Sequence, residues 1–400
     1  MIKRFNISSR LLLYVYFGLL IIYGVFSWEY AIFRQNNPIL LYMKFLLIPT
    51  GFLIAFANGS FIVNHFKSLG GIIIISIYFF LVFVLKSTSI YQNVCLVWCT
   101  SFIIGFLLSH FTPLKNRSVS FWSLAYILFP VAVYYTILHR GEFSYENMTV
   151  TTEGYWIDNN VIMVNLSLLP FVLMRGKKYI SDIAIVLIVV CAIISVKRTI
   201  VITTVLILVV YFYYRMIQKN RKHIIFKLLL LIFAIVGMFF LLKYIDNRMN
   251  GGELFKRLQL TSRTDDTSGR SGMYETYFAA IMSFSPKEIL FGIGSMGIDF
   301  TGNVHNDIMY VTFHYGLLGL LLFLIIMVQI IVASFRIVKS DCLGQSMSLS
   351  CLTALIVMIV CGLFNCFITF DGYTYLMLFF GYAIGKYQNV KNISQIQIAN

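Results

Sequence analysis

Hydrophobic residues run through this chain in blocks too long for the core of a soluble domain. The stretches "GIIIISIYFFLVFVL" (71–85) and "LLGLLLFLIIMVQIIVASF" (317–335) carry no charge at all. An apolar helix of roughly 17 to 25 residues crosses about 30 Å of hydrocarbon. Such a helix also satisfies its own backbone hydrogen bonds, which lipid cannot do. The pattern predicts spans near 11–28, 39–57, 71–85, 91–110, 119–138, 159–174, 180–196, 199–214, 224–243, 307–335, 348–366 and 373–386. The expected architecture is therefore an all-α polytopic membrane protein of about twelve transmembrane helices. No segment reads as a separate soluble domain.

The polar positions between the spans give the orientation. With the N-terminus placed inside, alternate short connections hold Lys3, Arg4, Arg10, Lys67, Lys115, Arg117, Arg175, Lys177, Lys178, Arg215, Lys219, Arg221, Lys222, Arg336, Lys339, Lys386 and Lys391. Asp341 is the one acid among them, and Arg34 and Lys86 are the exceptions in short outer loops. This is the positive-inside bias, and it predicts that both termini are cytoplasmic. The formal charge of +15 is thus mainly an orientation signal and not a nucleic-acid footprint. Composition agrees, with 59% hydrophobic and 12% charged residues. The N-terminal apolar run is followed by "VFSWEY" and not by a small-x-small cleavage site, so it is kept as the first span. Six of the seven cysteines fall in predicted spans and the seventh in an inner loop, which argues against structural disulfides.

Two connections are long, 139–160 and 244–304, and both are expected on the extracytoplasmic side. Loops of this length commonly carry function. In the second, Tyr274, Phe278, Ile281 and Met282 repeat at helical spacing, an apolar face suited to the membrane surface. Ser285, Pro286 and Glu288 then form the N-cap, first-turn proline and capping-box acid of a further short helix. Gly292, Gly294 and Gly297 have dinucleotide-fingerprint spacing, but they follow a helix and open no βαβ unit, so they are expected to form a flexible turn.

Two clusters of polar residues remain at span boundaries. In "SVKRTIV" (195–201), two short spans must meet, which puts Lys197 and Arg198 at the outer side against the charge bias. Lys197 reads as a snorkelling cation, and Arg198 as a functional one. His305, Asn306 and Asp307 occupy the outer mouth of the following long span, on the same side as Arg198 and Arg270. Arginine suits bidentate contact with phosphate oxygens, and histidine can exchange a proton with a hydroxyl. The set fits chemistry on a substrate with a pyrophosphate head and a lipid tail. His305 and Asn306 as simple helix caps are the alternative reading. Asp265 and Asp266 lack the further ligands a hard divalent ion needs and read as a solvated turn; no metal site is expected.

At these residues the sequence resembles the O-antigen polymerase (Wzy) and O-antigen ligase superfamily of bacterial envelope glycosyltransferases. The carrying signatures are "DNNVIMVNLSLLP", "SVKRT", "SGR" followed by "GIG", and "HND" followed by "YGLLG", in order over roughly 155–330. The resemblance implies a GT-C-like, metal-independent enzyme without cofactor, using polyprenyl-pyrophosphate-linked oligosaccharide in the bacterial inner membrane. By position it implies that Arg198 and Arg270 hold the donor pyrophosphate and that His305 orients or deprotonates the acceptor. Asn159, Tyr274 and Asn306 follow as substrate-binding candidates. The implied function is polymerisation of repeat units into O-antigen or capsular polysaccharide, with a chain-length regulator protein and membrane lipids as further partners. Two other readings stay open, a ligase transferring polymer to lipid A core and a flippase of lipid-linked sugar. Transporters place charges near the midplane, whereas here the cations gather at the outer face.

Overall fold

The computed structural model describes residues 7–33, 38–86, 94–111, 123–138, 162–195, 197–218, 270–294, 306–340, 342–369 and 371–399, with isolated positions between 237 and 252. All regular structure among them is helical. In chain order come α1 (Ile7–Phe33), α2 (Pro38–Ala57), α3 (Gly59–Asn64), α4 (Phe66–Lys86) and α5 (Val94–Phe111). A π-turn at Leu124–Leu128 leads into α6 (Phe129–Leu138), followed by α7 (Ile162–Leu173) and α8 (Lys178–Ile194). Then α9 (Arg198–Phe212) runs out through a second π-turn, Tyr213–Gln218. The remainder is α10 (Arg270–Met282), α11 (Pro286–Phe291), α12 (Asp307–Ser340), α13 (Gln345–Phe364), a 3-10 turn (Phe367–Thr369) and α14 (Asp371–Ala399).

Helices stand at every stretch expected to span except 224–243, most of which lies outside the described residues. Among the described residues, three helices are long and apolar enough to cross a membrane: Arg198–Arg215, Asp307–Ser340 and Gln345–Phe364. Shorter apolar helices accompany them at Leu11–Phe26, Leu46–Ala57, Phe66–Val82, Cys95–His110, Leu124–Leu138 and Ile162–Leu173. The described residues therefore establish an apolar all-α bundle and not the expected count of twelve.

The bundle is built around α14, which packs on α5, α7, α12 and α13. Its tightest partner is α5. Gly105 lies against the backbone of Leu378, and Gly381 against the carbonyl of Phe102, so closely that a Cβ at either would overlap main chain. Small residues at such a crossing let dispersion contacts hold helices together where lipid offers no hydrophobic drive. Cross-helix hydrogen bonds add to this, with Tyr16 and Ser101 hydroxyls 2.7 Å apart and Asn165 Nδ2 donating to Thr136 Oγ1 at 2.9 Å. At the opposite end of α8 and α9, Arg215 pairs with Asp182 at 3.3 Å and donates to the Tyr211 hydroxyl at 3.0 Å. The Tyr211 hydroxyl in turn donates to Asp182. Asp182 is thus a partly exposed group near the start of α8.

The helix α12 is not the continuous rod that its apolar pattern predicts. It breaks at Gly316, where φ is 69° and ψ −174°. A break in a helix frees carbonyls, and in an apolar surrounding each must find another donor. Here all three do. The Phe313 carbonyl accepts from Ile293 N and the His314 carbonyl from Gly294 N, both at 3.1 Å. The Tyr315 carbonyl accepts from the Tyr78 hydroxyl of α4 at 2.5 Å. Gly292 (φ 72°) lies directly against Gly316, and a Cβ on either would overlap the other strand of backbone. The turn after α11, expected to be flexible, is instead sewn into the break; its third glycine, Gly297, lies outside the described residues. Residues 317–340 alone make about 36 Å of helix at 1.5 Å per residue. That exceeds the hydrocarbon thickness, so the half-helix 307–315 forms an added segment at the end expected to face outward.

Candidate active site

The α8–α9 turn is sharp because Ser195 folds its hydroxyl back on the Ala192 carbonyl (2.7 Å) and accepts from Lys197 N at 3.2 Å. Lys197 is extended (φ −110°, ψ 118°), and its carbonyl receives the N–H groups of Ile200 and Val201 to start α9. Arg198 is therefore the first residue of a helix. A cation there opposes the helix macrodipole, so it does not serve the helix. Its side chain is partly buried and has no hydrogen-bond or ion-pair partner among the described residues. Thr203 of α9 comes within 3.9 Å of the sulfur of Cys361, near the end of α13.

The start of α12 meets that end of α13 from the other side. Asn306 caps α12, its Oδ1 accepting from Ile308 N at 2.9 Å and Met309 N at 3.2 Å. Its Nδ2 donates to the Leu363 carbonyl at 3.2 Å, so one amide both caps α12 and pins it to α13. Asp307 is 4% exposed, with Oδ1 accepting from Ile368 N at 2.8 Å and its other oxygen against Gly362. The capping role of Asn306 is thus real, and it places the residue where α12 meets α13.

The helix α10 begins at Arg270 and docks on the half-helix through Tyr277, joined by Ile281 from the apolar face expected to lie on the membrane. Tyr277 is 4% exposed, with its ring 4.8 Å from that of Phe313. Burial pushes its phenol up to about 12. Ile281, Ala280 and Phe284 complete this contact. Phe278 and Met282 remain exposed, and Tyr274 is partly buried one turn before the anchor. The following helix has the expected capping box, with Ser285 N donating to Glu288 Oε2 at 2.8 Å.

Asn306 thus lies at the last turn of α13, and α10 is carried on the first turns of α12. Arg270 is placed by its backbone at the head of α10. His305 and Asn159 lie outside the described residues, as do Asp265 and Asp266. Two polar residues at the junction did not enter the expected site. Asp307 was noted only as a neighbour, and Asn365, 1% exposed at the end of α13, was missed. The sequence held a signal for Asn365, a lone amide closing the apolar run "LIVMIVCGLFNCFITF".

No curated protein matches the chain. Residues 183–324 match the O-antigen ligase family, Wzy_C, whose members are glycosyltransferase-like enzymes of polysaccharide synthesis acting on lipid-linked oligosaccharide. The matched segment runs from α8 through the break of α12 and contains Arg198, α10, α11 and Asn306. The match, over about a third of the chain, is a likeness to the O-antigen polymerase and ligase superfamily, and the apolar helices fit a membrane protein.

Proposed function

We propose that this protein is a polymerase joining polyprenyl-pyrophosphate-linked repeat units into O-antigen or capsular polysaccharide at the outer face of the inner membrane. The observation that carries the reading is Arg198, a partly buried guanidinium at a helix start with no hydrogen-bond or ion-pair partner among the described residues. Such a group is disposed to hold an anion, and arginine offers a planar fork for phosphate oxygens. In the reaction, an acceptor sugar hydroxyl attacks the anomeric carbon of the donor. The bond from that carbon to the pyrophosphate oxygen breaks, and the pyrophosphate leaves with the electron pair on its lipid. Arg198 and Arg270 stabilise that developing charge, work that positioned cations can do without a metal. His305 orients the hydroxyl and takes its proton. Asn159, Tyr274 and Asn306 hold the sugar. Both termini are cytoplasmic, and a chain-length regulator protein is the expected partner.

The description of the matched family favours one second reading, a ligase. Polymerase and ligase share the donor and differ in the acceptor, so the lipid-linked products left in a deletion strain separate them. Removal of a polymerase leaves surface core bearing one repeat unit, and His305→Ala should copy this. Long polymer stranded on the lipid carrier, over bare core, would instead make the protein a ligase. Single units facing the cytoplasm would make it a flippase.

A further inference from the structure

Asn365 ends α13 at the junction described above. Its backbone N–H is spent on the Cys361 carbonyl at 2.9 Å. Its side chain is 1% exposed, yet neither Oδ1 nor Nδ2 has a hydrogen-bond partner among the described residues. Buried amides are nearly always paired, and an exception calls for a reason. Two polar neighbours along the same turn are engaged elsewhere. The Leu363 carbonyl takes Asn306 Nδ2, and Ile368 N–H goes to Asp307. Leu363 and Phe364, the two residues before it, are exposed and form an open lip to the turn.

We propose that Asn365 is a sugar-binding residue of the site, its amide reserved for hydroxyls of the lipid-linked oligosaccharide that settles on this lip. The chemistry of the bare group chooses the ligand. An amide presents donors at Nδ2 and an acceptor at Oδ1. Ionised pyrophosphate oxygens only accept, so they would leave Oδ1 unpaired. A sugar hydroxyl donates and accepts at once, and an adjacent pair satisfies both ends. This deepens the proposed function and rests on it for the identity of the substrate.

The test uses the full-length protein in nanodiscs and the Asn365→Leu variant, which keeps the side chain's volume and removes its polar atoms. Two probes are compared, undecaprenyl pyrophosphate bare and the same lipid carrying the repeat unit purified from a strain lacking this gene. Thermal unfolding should show Asn365→Leu at least as stable as wild type, because a dry amide has been exchanged for an apolar isostere. Bare lipid should bind both proteins alike, and the glycolipid should bind the variant at least tenfold more weakly. Equal glycolipid binding by the two proteins overturns the proposal. So does an equal loss for both probes, or a fall in thermal midpoint that accompanies the loss, since either marks a structural role. Glycolipid that wild type binds through Asn365 but does not polymerise would leave the sugar contact standing and remove the polymerase.

Discussion

Gly294 and His314 exchange two hydrogen bonds: the Gly294 amide donates to the His314 carbonyl at 3.1 Å, and His314 Nδ1 donates to the Gly294 carbonyl at 2.8 Å. A carbonyl can only accept, so this contact also fixes the tautomer, with the proton on Nδ1. The pair joins the turn after α11 to the break in α12, and the His314 ring also lies 4.3 Å from that of Tyr310, tilted 48° to it. Two stretches of chain carrying separate parts of the candidate site are thereby held as one unit.

Substitution at the break should be felt as lost stability. Gly316→Ala meets both a left-handed φ and the backbone of Gly292 and Leu290. Strain and displaced hydrogen bonds together should cost at least about 2 kcal/mol. Gly18→Ala in α1, with open space around it, should be neutral or gain up to about 1 kcal/mol. Thermal unfolding in one detergent reads both; equal midpoints for the two variants would refute the fit of the turn.

Arg198 should be dispensable for folding and not for activity. Because it has no partner within the described fold, Arg198→Ala should change stability by no more than about 0.5 kcal/mol while polymer is lost. Arg270→Lys should also abolish polymer, since an ammonium replaces a planar fork, and Lys197→Ala should be milder. Immunoblots of membrane fractions beside polysaccharide ladders make the comparison. An inactive Lys197→Ala beside an active Arg198→Ala would reverse the assignment of the two cations.

Asp307 should matter to the fold. Asp307→Ala leaves the buried Ile368 N–H without its acceptor, at about 1–3 kcal/mol. Asp307→Asn keeps an oxygen in place and should lose less. Ranking the thermal midpoints tests this, and a variant pair in the opposite order would count against the anchor.

The docking of α10 should depend on pH only in alkali. The Tyr277 phenol is raised to about 12 in the folded protein, against about 10 for an ordinary tyrosine. The folded state therefore holds this proton more tightly than the unfolded state. Its stability contribution is complete below about pH 10 and is lost as pH rises toward 12. Between pH 9.5 and 11, wild type should lose thermal midpoint faster than Tyr277→Phe. Parallel curves would show that the phenol is not buried against Phe313.

Much of this was legible in the chain. Apolar blocks revealed the helices because lipid leaves the backbone few alternatives. The Ser285–Glu288 capping box and the Ser195–Arg198 turn were legible because local residues make them. The break at Gly316 was not, because glycines such as Gly316 and Gly319 in "FHYGLLGLL" are common in unbroken transmembrane helices too. Its donors come from residues 293, 294 and 78, and only the fold brings them there. Asn365 was obscured for a related reason. What sets it apart is the absence of a partner, which sequence does not record.

The sewn turn also bears on how quickly the site can work. Lifting it would strip the Phe313 and His314 carbonyls of their donors together, at about 1–3 kcal/mol each. A lifted state would then make up roughly a few per cent of the molecules or less. On the proposed function, lipid-tailed molecules would be exchanged with this latch shut in most of the molecules.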